Sequence, residues 1–141
     1  KALEQYGRVL ITSEGALPPE LQPYQVKISP EKMHDLLYFA ILFFGDSPTM
    51  TTESAILGTP AICVSTWACG CGNFRDLSSN YDLLYCFRDE HVALKKAFEI
   101  LNSKDLKCEW GSKRKKLLNE KIDVTAFMVE FFENYDIVHS E

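Results

Sequence analysis

The chain has 141 residues, 46% of them hydrophobic and 25% charged, with a formal net charge of −5. That length suits one domain with a sizeable core, or one half of a two-domain protein. The acidic balance argues against nucleic acid as the main partner, because neutralising phosphates needs a basic face. The longest apolar run, residues 36–44, has nine residues and is too short to span a bilayer. With no signal-like leader the default compartment is the cytoplasm. The chain opens on Lys1 rather than Met, so further chain is expected upstream.

In chain order, residues 2–6 read as the tail of a helix and residues 8–13 (RVLITS) as a strand. A loop rich in proline follows (Pro18, Pro19, Pro23), and residues 25–28 suit a short strand. Ser29-Pro30-Glu31 is a helix start, with a cap, Pro in the first turn and an early acid. Met33, Leu36, Leu37 and Ala40 then share one helical face. Residues 41–45 (ILFFG) form a continuous apolar run, the mark of a strand buried on both faces. Residues 50–57 predict a helix, ended by Gly58 and Pro60. Residues 61–65 are a second buried strand, 66–73 a loop rich in Gly and Cys, 74–79 a short helix and 83–87 a third apolar strand.

Helical spacing returns at Leu94, Ala97, Phe98 and Leu101, and again at Val124, Phe127, Met128, Phe131 and Tyr135. The last stripe is expected in the core. If its helix instead covers a second domain, Phe132 and part of the stripe are left exposed and invite self-association. Strands alternating with helices over short connections predict a single α/β, Rossmann-like domain. Its sheet is mostly parallel and flanked by helices, with a helical tail at the C-terminus.

The stretch FFGDSPTMTTESAILGTPAI, residues 43–62, carries the chemistry. In open α/β sheets ligands sit beyond the carboxyl ends of the strands, where loops meet helix N-termini. Free N–H groups and the positive dipole end of the helix suit a phosphate there. Ser47, Thr49, Thr51 and Thr52 can add hydroxyl hydrogen bonds. Glu53 would repel a phosphate beside it but can accept from a ribose diol, as acids do in dinucleotide folds. In the plainer alternative Asp46 or Ser47 merely caps the helix and Glu53 is a solvated first-turn acid.

Five cysteines, an odd number in a chain able to fold without staples, predict reduced thiols, with Cys63 and Cys86 as small core residues. Cys69 and Cys71 stand as C-x-C, with no second pair to complete a zinc site. A flexible loop over a cleft is the expectation, and neither metal nor cofactor is expected. His34 falls on the exposed side of its helix, with ligand contact as the alternative. His91 and His139 belong to no constellation. The basic run SKRKK, residues 112–116, reads as a solvated helix face; the sharper alternative is weak contact with an anionic membrane surface.

The segment GDSPTMTTESAILGTPAI resembles the second-half motif of GT-B-fold nucleotide-sugar enzymes, which include UDP-N-acetylglucosamine 2-epimerases and the peptidoglycan N-acetylglucosaminyltransferase. A closer likeness is to a poorly characterised prokaryotic family of the same architecture, through GRVLITSEGALPPEL, ISPEKMHDLLYFA and the segment just quoted. The likeness covers roughly residues 6–87. It implies a nucleotide sugar, with a UDP-sugar expected, whose phosphates lie against Ser47, Thr49, Met50 and Thr51 and whose ribose is held by Glu53. Glu14 and Gly15, at the end of an earlier strand, would face the same cleft. The family's active site closes between two domains, so the likeness also implies a C-terminal half whose first strand and N-terminal domain are absent. The acid or base of catalysis would lie in that other half. The runner-up is a non-catalytic, flavodoxin-like regulatory or assembly module; a thiol-based metal or redox module resting on the CGC loop is third.

Overall fold

The computed structural model describes residues 2–135. Three parallel strands form one sheet in the order β1 (Phe43–Gly45), β2 (Ala61–Val64), β3 (Leu84–Phe87). The register pairs Phe43 with Ala61, and Ala61 in turn with Leu84. Parallel neighbours need a crossover, and each is a helix: α2 (Pro48–Leu57) joins β1 to β2, and α3 (Gly72–Ser79) joins β2 to β3. Helix α1 (Met33–Phe39) precedes the sheet and packs on α2; α4 (Glu90–Leu101) follows and packs on β2 and β3. Two more helices, α5 (Leu106–Glu120) and α6 (Val124–Glu133), end the described chain. The architecture is the expected α/β, Rossmann-like one.

The core sits around β2, where Ala61, Ile62 and Cys63 are fully buried with Phe74, Leu83, Leu84 and Trp110 around them. β1 was expected to be buried on both faces, but it is an edge strand and all three of its residues are half-buried. Residues 8–13 form no strand: Ile11 alone makes an isolated parallel bridge to Gln25, so the strand expected at 25–28 also shrinks to that bridge. β-branched residues extend the backbone readily but become a strand only beside a partner, and here the partnership is one residue long. The helix tail expected at 2–6 is a single 3-10 turn, Glu4–Tyr6.

Helix α2 is bounded by local chemistry at both ends. Ser47 is its N-cap, accepting from the Met50 N–H at 3.4 Å, and Pro48 occupies the first helical position. At the far end Gly58 takes φ +86°, and a Cβ there would lie 2.8 Å from Arg114 Cδ. Thr59 is buried and donates its hydroxyl to the Leu37 carbonyl at 2.8 Å, tying α2's exit to the end of α1. Gly-Thr-Pro is therefore structural.

Three expectations fail at the C-terminal end or among the cysteines. The stripe Val124, Phe127, Met128, Phe131, Tyr135 is not core, since α6 buries none of its residues. The basic run is not a freely solvated face. Lys113 pairs with Asp82 at 2.8 Å and Glu109 at 2.7 Å, Arg114 Nε donates to the Ile56 carbonyl at 2.9 Å, and Lys116 Nζ donates to the Asn80 carbonyl at 2.9 Å. Cys69 and Cys86 are not thiols; they form a disulfide, with 5.3 Å between their Cα atoms. A cysteine count does not reveal that the loop after β2 folds back against β3. Of the free cysteines, Cys63 is buried as expected, Cys71 half-buried and Cys108 exposed. Among the described residues no helix is long and apolar enough to cross a membrane. His139 lies outside the described residues.

Candidate functional site

Because all three strands run parallel, the loops at their carboxyl ends gather at one edge of the sheet. The loop after β1 leads into α2, and the loop after β2 passes through a 3-10 turn (Ala68–Gly70) into α3. Between them lies a cleft of about 350 Å³, walled on one side by Pro48, Thr49, Thr52 and Glu53 and on the other by Trp67, Cys71, Asn73 and Phe74. Asn73 Nδ2 reaches across to Thr52 Oγ1 at 3.4 Å and links the two walls. Phe74 is buried, whereas the Trp67 indole is 66% exposed at the rim.

Starting the helix at Pro48 rather than Met50 moves Glu53 from its first turn to its second. Its side chain is one-third exposed and faces His34 of α1, with 3.5 Å between Glu53 Oε1 and His34 Nε2. This pairing makes His34 a neighbour of the cleft rather than a purely solvent-facing residue. Glu53 is the one charged side chain among the cleft's lining residues. A carboxylate has two oxygens and about four lone-pair sites, so with His34 beside Oε1 it retains acceptor capacity for hydroxyl groups.

The rest of the loop is committed to the fold more than its composition suggests. Ser47 Oγ is the helix cap, and Thr51 is fully buried with its hydroxyl donating to the Ser47 carbonyl at 2.7 Å. Met50 is half-buried and its N–H is taken by the cap. Pro48 has no N–H to offer, which leaves the Thr49 N–H and hydroxyl as the groups at the helix start that have no hydrogen-bond partner among the described residues. Of the residues expected at the ligand, Thr49, Thr52 and Glu53 line the cleft, whereas Ser47, Met50 and Thr51 shape it from behind. Glu14 and Gly15 are exposed in a turn closed by Ser13, whose hydroxyl bonds both the Gly15 N–H and carbonyl, and neither lines the cleft. Beneath the loop, burial pushes the Cys63 thiol above its ordinary range.

No protein-family model matches this chain, and neither a curated protein nor a solved structure proves similar to it.

A larger hollow of about 480 Å³ runs along α6, but Val124, Thr125, Met128, Val129, Phe132 and Glu133 form its walls, all from one helix. It is a furrow on that helix's own surface. Among the described residues no group of three His, Cys, Asp or Glu side chains converges to hold a metal. Pro48, Trp67, Asn73 and Phe74 are the cleft residues that sequence reasoning did not name, although it placed the loop carrying Cys69 and Cys71 over a cleft, where Cys71 does line the wall. For Trp67, Asn73 and Phe74 the available signal was their place in the loop after the second strand of a parallel sheet, which must face the loop after the first.

Proposed function

We propose that the cleft binds a nucleotide sugar, a UDP-sugar being the expected ligand, and that the chain is the nucleotide-binding half of a GT-B-like glycosyltransferase or sugar epimerase. The supporting observation is that Thr49, Thr52 and Glu53 share one face of α2 and meet at the carboxyl ends of β1 and β2. Thr49 and Glu53 are one turn apart, about 6 Å along the helix axis. A diphosphate at the Thr49 N–H and hydroxyl would leave the adjoining ribose within reach of Glu53. Trp67 offers a base an apolar face on the opposite wall, with the buried Phe74 among the residues that line it. The helix dipole and hydroxyl groups would supply the phosphate stabilisation. No residue of this chain is assigned a catalytic role.

Calorimetric titration with UDP, with uridine and inorganic phosphate as controls, tests the reading. Binding in the micromolar to low millimolar range, about −8 to −4 kcal/mol, is expected for UDP and weaker binding for either control. Glu53→Ala should lose about tenfold or more, as for a hydrogen bond to a charged group, with the unfolding midpoint unchanged. Equal affinity in the variant would remove Glu53 from the site. A flat titration at millimolar UDP would favour the non-catalytic module instead. The observation behind that second reading is that the Ser47 and Thr51 hydroxyls are already used by the helix itself.

A further inference from the structure

The wall of the cleft opposite α2 is held in an unusual way. Between β2 and α3, residues 66–71 make only short-range hydrogen bonds, among themselves and to Ser65 and Arg75 at the two ends of the segment. The Ala68 N–H donates to Ser65 Oγ at 3.3 Å, the Gly70 N–H to the Trp67 carbonyl at 3.0 Å, and the Cys71 N–H to the Ala68 carbonyl at 3.0 Å. Gly70 and Gly72 face open space, with no heavy atom within 4 Å of where a Cβ would stand. Three anchors remain: the fully buried methyl of Ala68, the half-buried Cys71, which packs against the core and whose carbonyl accepts from the Arg75 N–H of α3 at 3.1 Å, and the bond from Cys69 to Cys86 on the edge strand β3. Both bonded cysteines are half-buried rather than sealed in the core. The segment so held places Trp67 and Cys71 in the cleft and leads directly to Asn73.

We propose that Cys69 and Cys86 form a reversible redox couple that fixes or releases this wall of the cleft, and that a dithiol reductant is the co-reactant. A thiolate of the dithiol attacks one sulfur of the bond, the other leaves as a thiolate and takes a proton, and a mixed disulfide results. The second thiol of the reductant then displaces the protein sulfur. The chain gains two electrons and two protons, and the dithiol becomes a disulfide. With the bond open, residues 66–70 keep only their local turns and Ala68, and Trp67 loses its fixed place, while Cys71 stays with α3 and the core. The proposal is independent of what the cleft binds.

The test uses the full chain equilibrated in buffers of graded reduced and oxidised dithiothreitol. Thiols are trapped by alkylation in denaturant and counted by intact mass, and amide exchange is measured on the native protein. Of the five cysteines, three should be trapped in the oxidised chain and all five in the reduced one, reversibly. Cys69→Ser and Cys86→Ser should each abolish the change, while Cys71→Ser and Cys108→Ser should keep it. On reduction, amides of residues 68–70 should exchange faster by about tenfold or more, as for a local opening, with those of α5 unaffected. Five thiols at every ratio, or a bond that survives Cys69→Ser, would overturn the proposal. So would equal exchange in both states. Faster exchange throughout the chain would overturn it too, because the bond would then be a staple of the whole fold.

Discussion

Helices α5 and α6 follow one another, and their composition predicts the opposite of what they do. α6, VTAFMVEFFE, is apolar over most of its length, yet Phe127, Phe131 and Phe132 are each about half exposed or more. α5 holds the basic run and few apolar residues, yet it is fixed to the domain along its length. Trp110 is 2% exposed and its indole N–H donates to the Leu83 carbonyl at 3.1 Å. Lys113 Nζ lies 3.7 Å from the centre of the Trp110 ring and pairs with Asp82 and Glu109. Arg114 closes the carboxyl end of α2. An apolar helix face is buried only if another surface meets it, whereas one aromatic anchor with correctly placed cations can fix a polar helix.

The largest test of that contrast is Trp110→Ala. Removing a buried aromatic ring costs about 3–5 kcal/mol and here also strands the Leu83 carbonyl. A midpoint shift in urea of under 1 kcal/mol would mean that α5 is held by its ion pairs instead. Two glycines sharpen the comparison with opposite signs. Gly58→Ala forces a side chain into the left-handed region against Arg114, at a cost of about 1–2 kcal/mol. Gly111→Ala, inside α5 with open space around it, should stabilise by about 0.5–1 kcal/mol. If both changes destabilise, α5 is not the regular helix described.

Smaller effects come from acid. Asp76 is held below the usual carboxylate range by hydrogen bonds from Lys121 and Asn80. Burial pushes Asp82 the other way, but hydrogen bonds from Lys113 and Tyr85 outweigh it and its pKa is also lowered. A carboxylate whose folded pKa is depressed stabilises the fold fully above its unfolded value. That contribution is lost as the pH falls through the folded value. The α5 anchorage should therefore weaken below about pH 4, and Asp76→Asn with Asp82→Asn should flatten the acid limb of the stability profile. An unchanged limb would take these carboxylates out of the anchorage.

Sequence made some of this legible and hid the rest for definite reasons. The three strands stand out as short apolar runs ended by Gly, Ser or Arg, and Gly58 and Pro60 mark the exit of α2. Ser47 and Pro48 move the start of α2 two residues earlier than its apolar pattern alone indicates, which shifts Glu53 by part of a turn. In the cleft, Thr49, Thr52 and Glu53 were visible as a run of polar residues after a strand. That Thr51 faces inward could not be seen until the helix phase was known. Trp67, Asn73 and the Glu53–His34 contact join segments that are distant in sequence, as does the Cys69–Cys86 bond. Periodicity describes one element at a time, so contacts between elements lie beyond it.

The smallest expected effect is the most telling for α6. On its surface the ring centres of Phe127 and Phe131 lie 6.2 Å apart and those of Phe131 and Tyr135 5.3 Å apart, so these aromatic residues pack against one another while staying about half exposed. Phe127→Ser combined with Phe132→Ser removes two large apolar side chains, a change worth several kcal/mol in a core. On α6 it should move the unfolding midpoint by no more than about 0.5 kcal/mol, because neither ring leaves water on folding to the extent that Trp110 does. The same pair of substitutions placed in a buried stripe would unfold a domain this size. A loss above 1 kcal/mol would mean that α6 packs on the domain in solution, and α5 and α6 would then differ in degree rather than in kind.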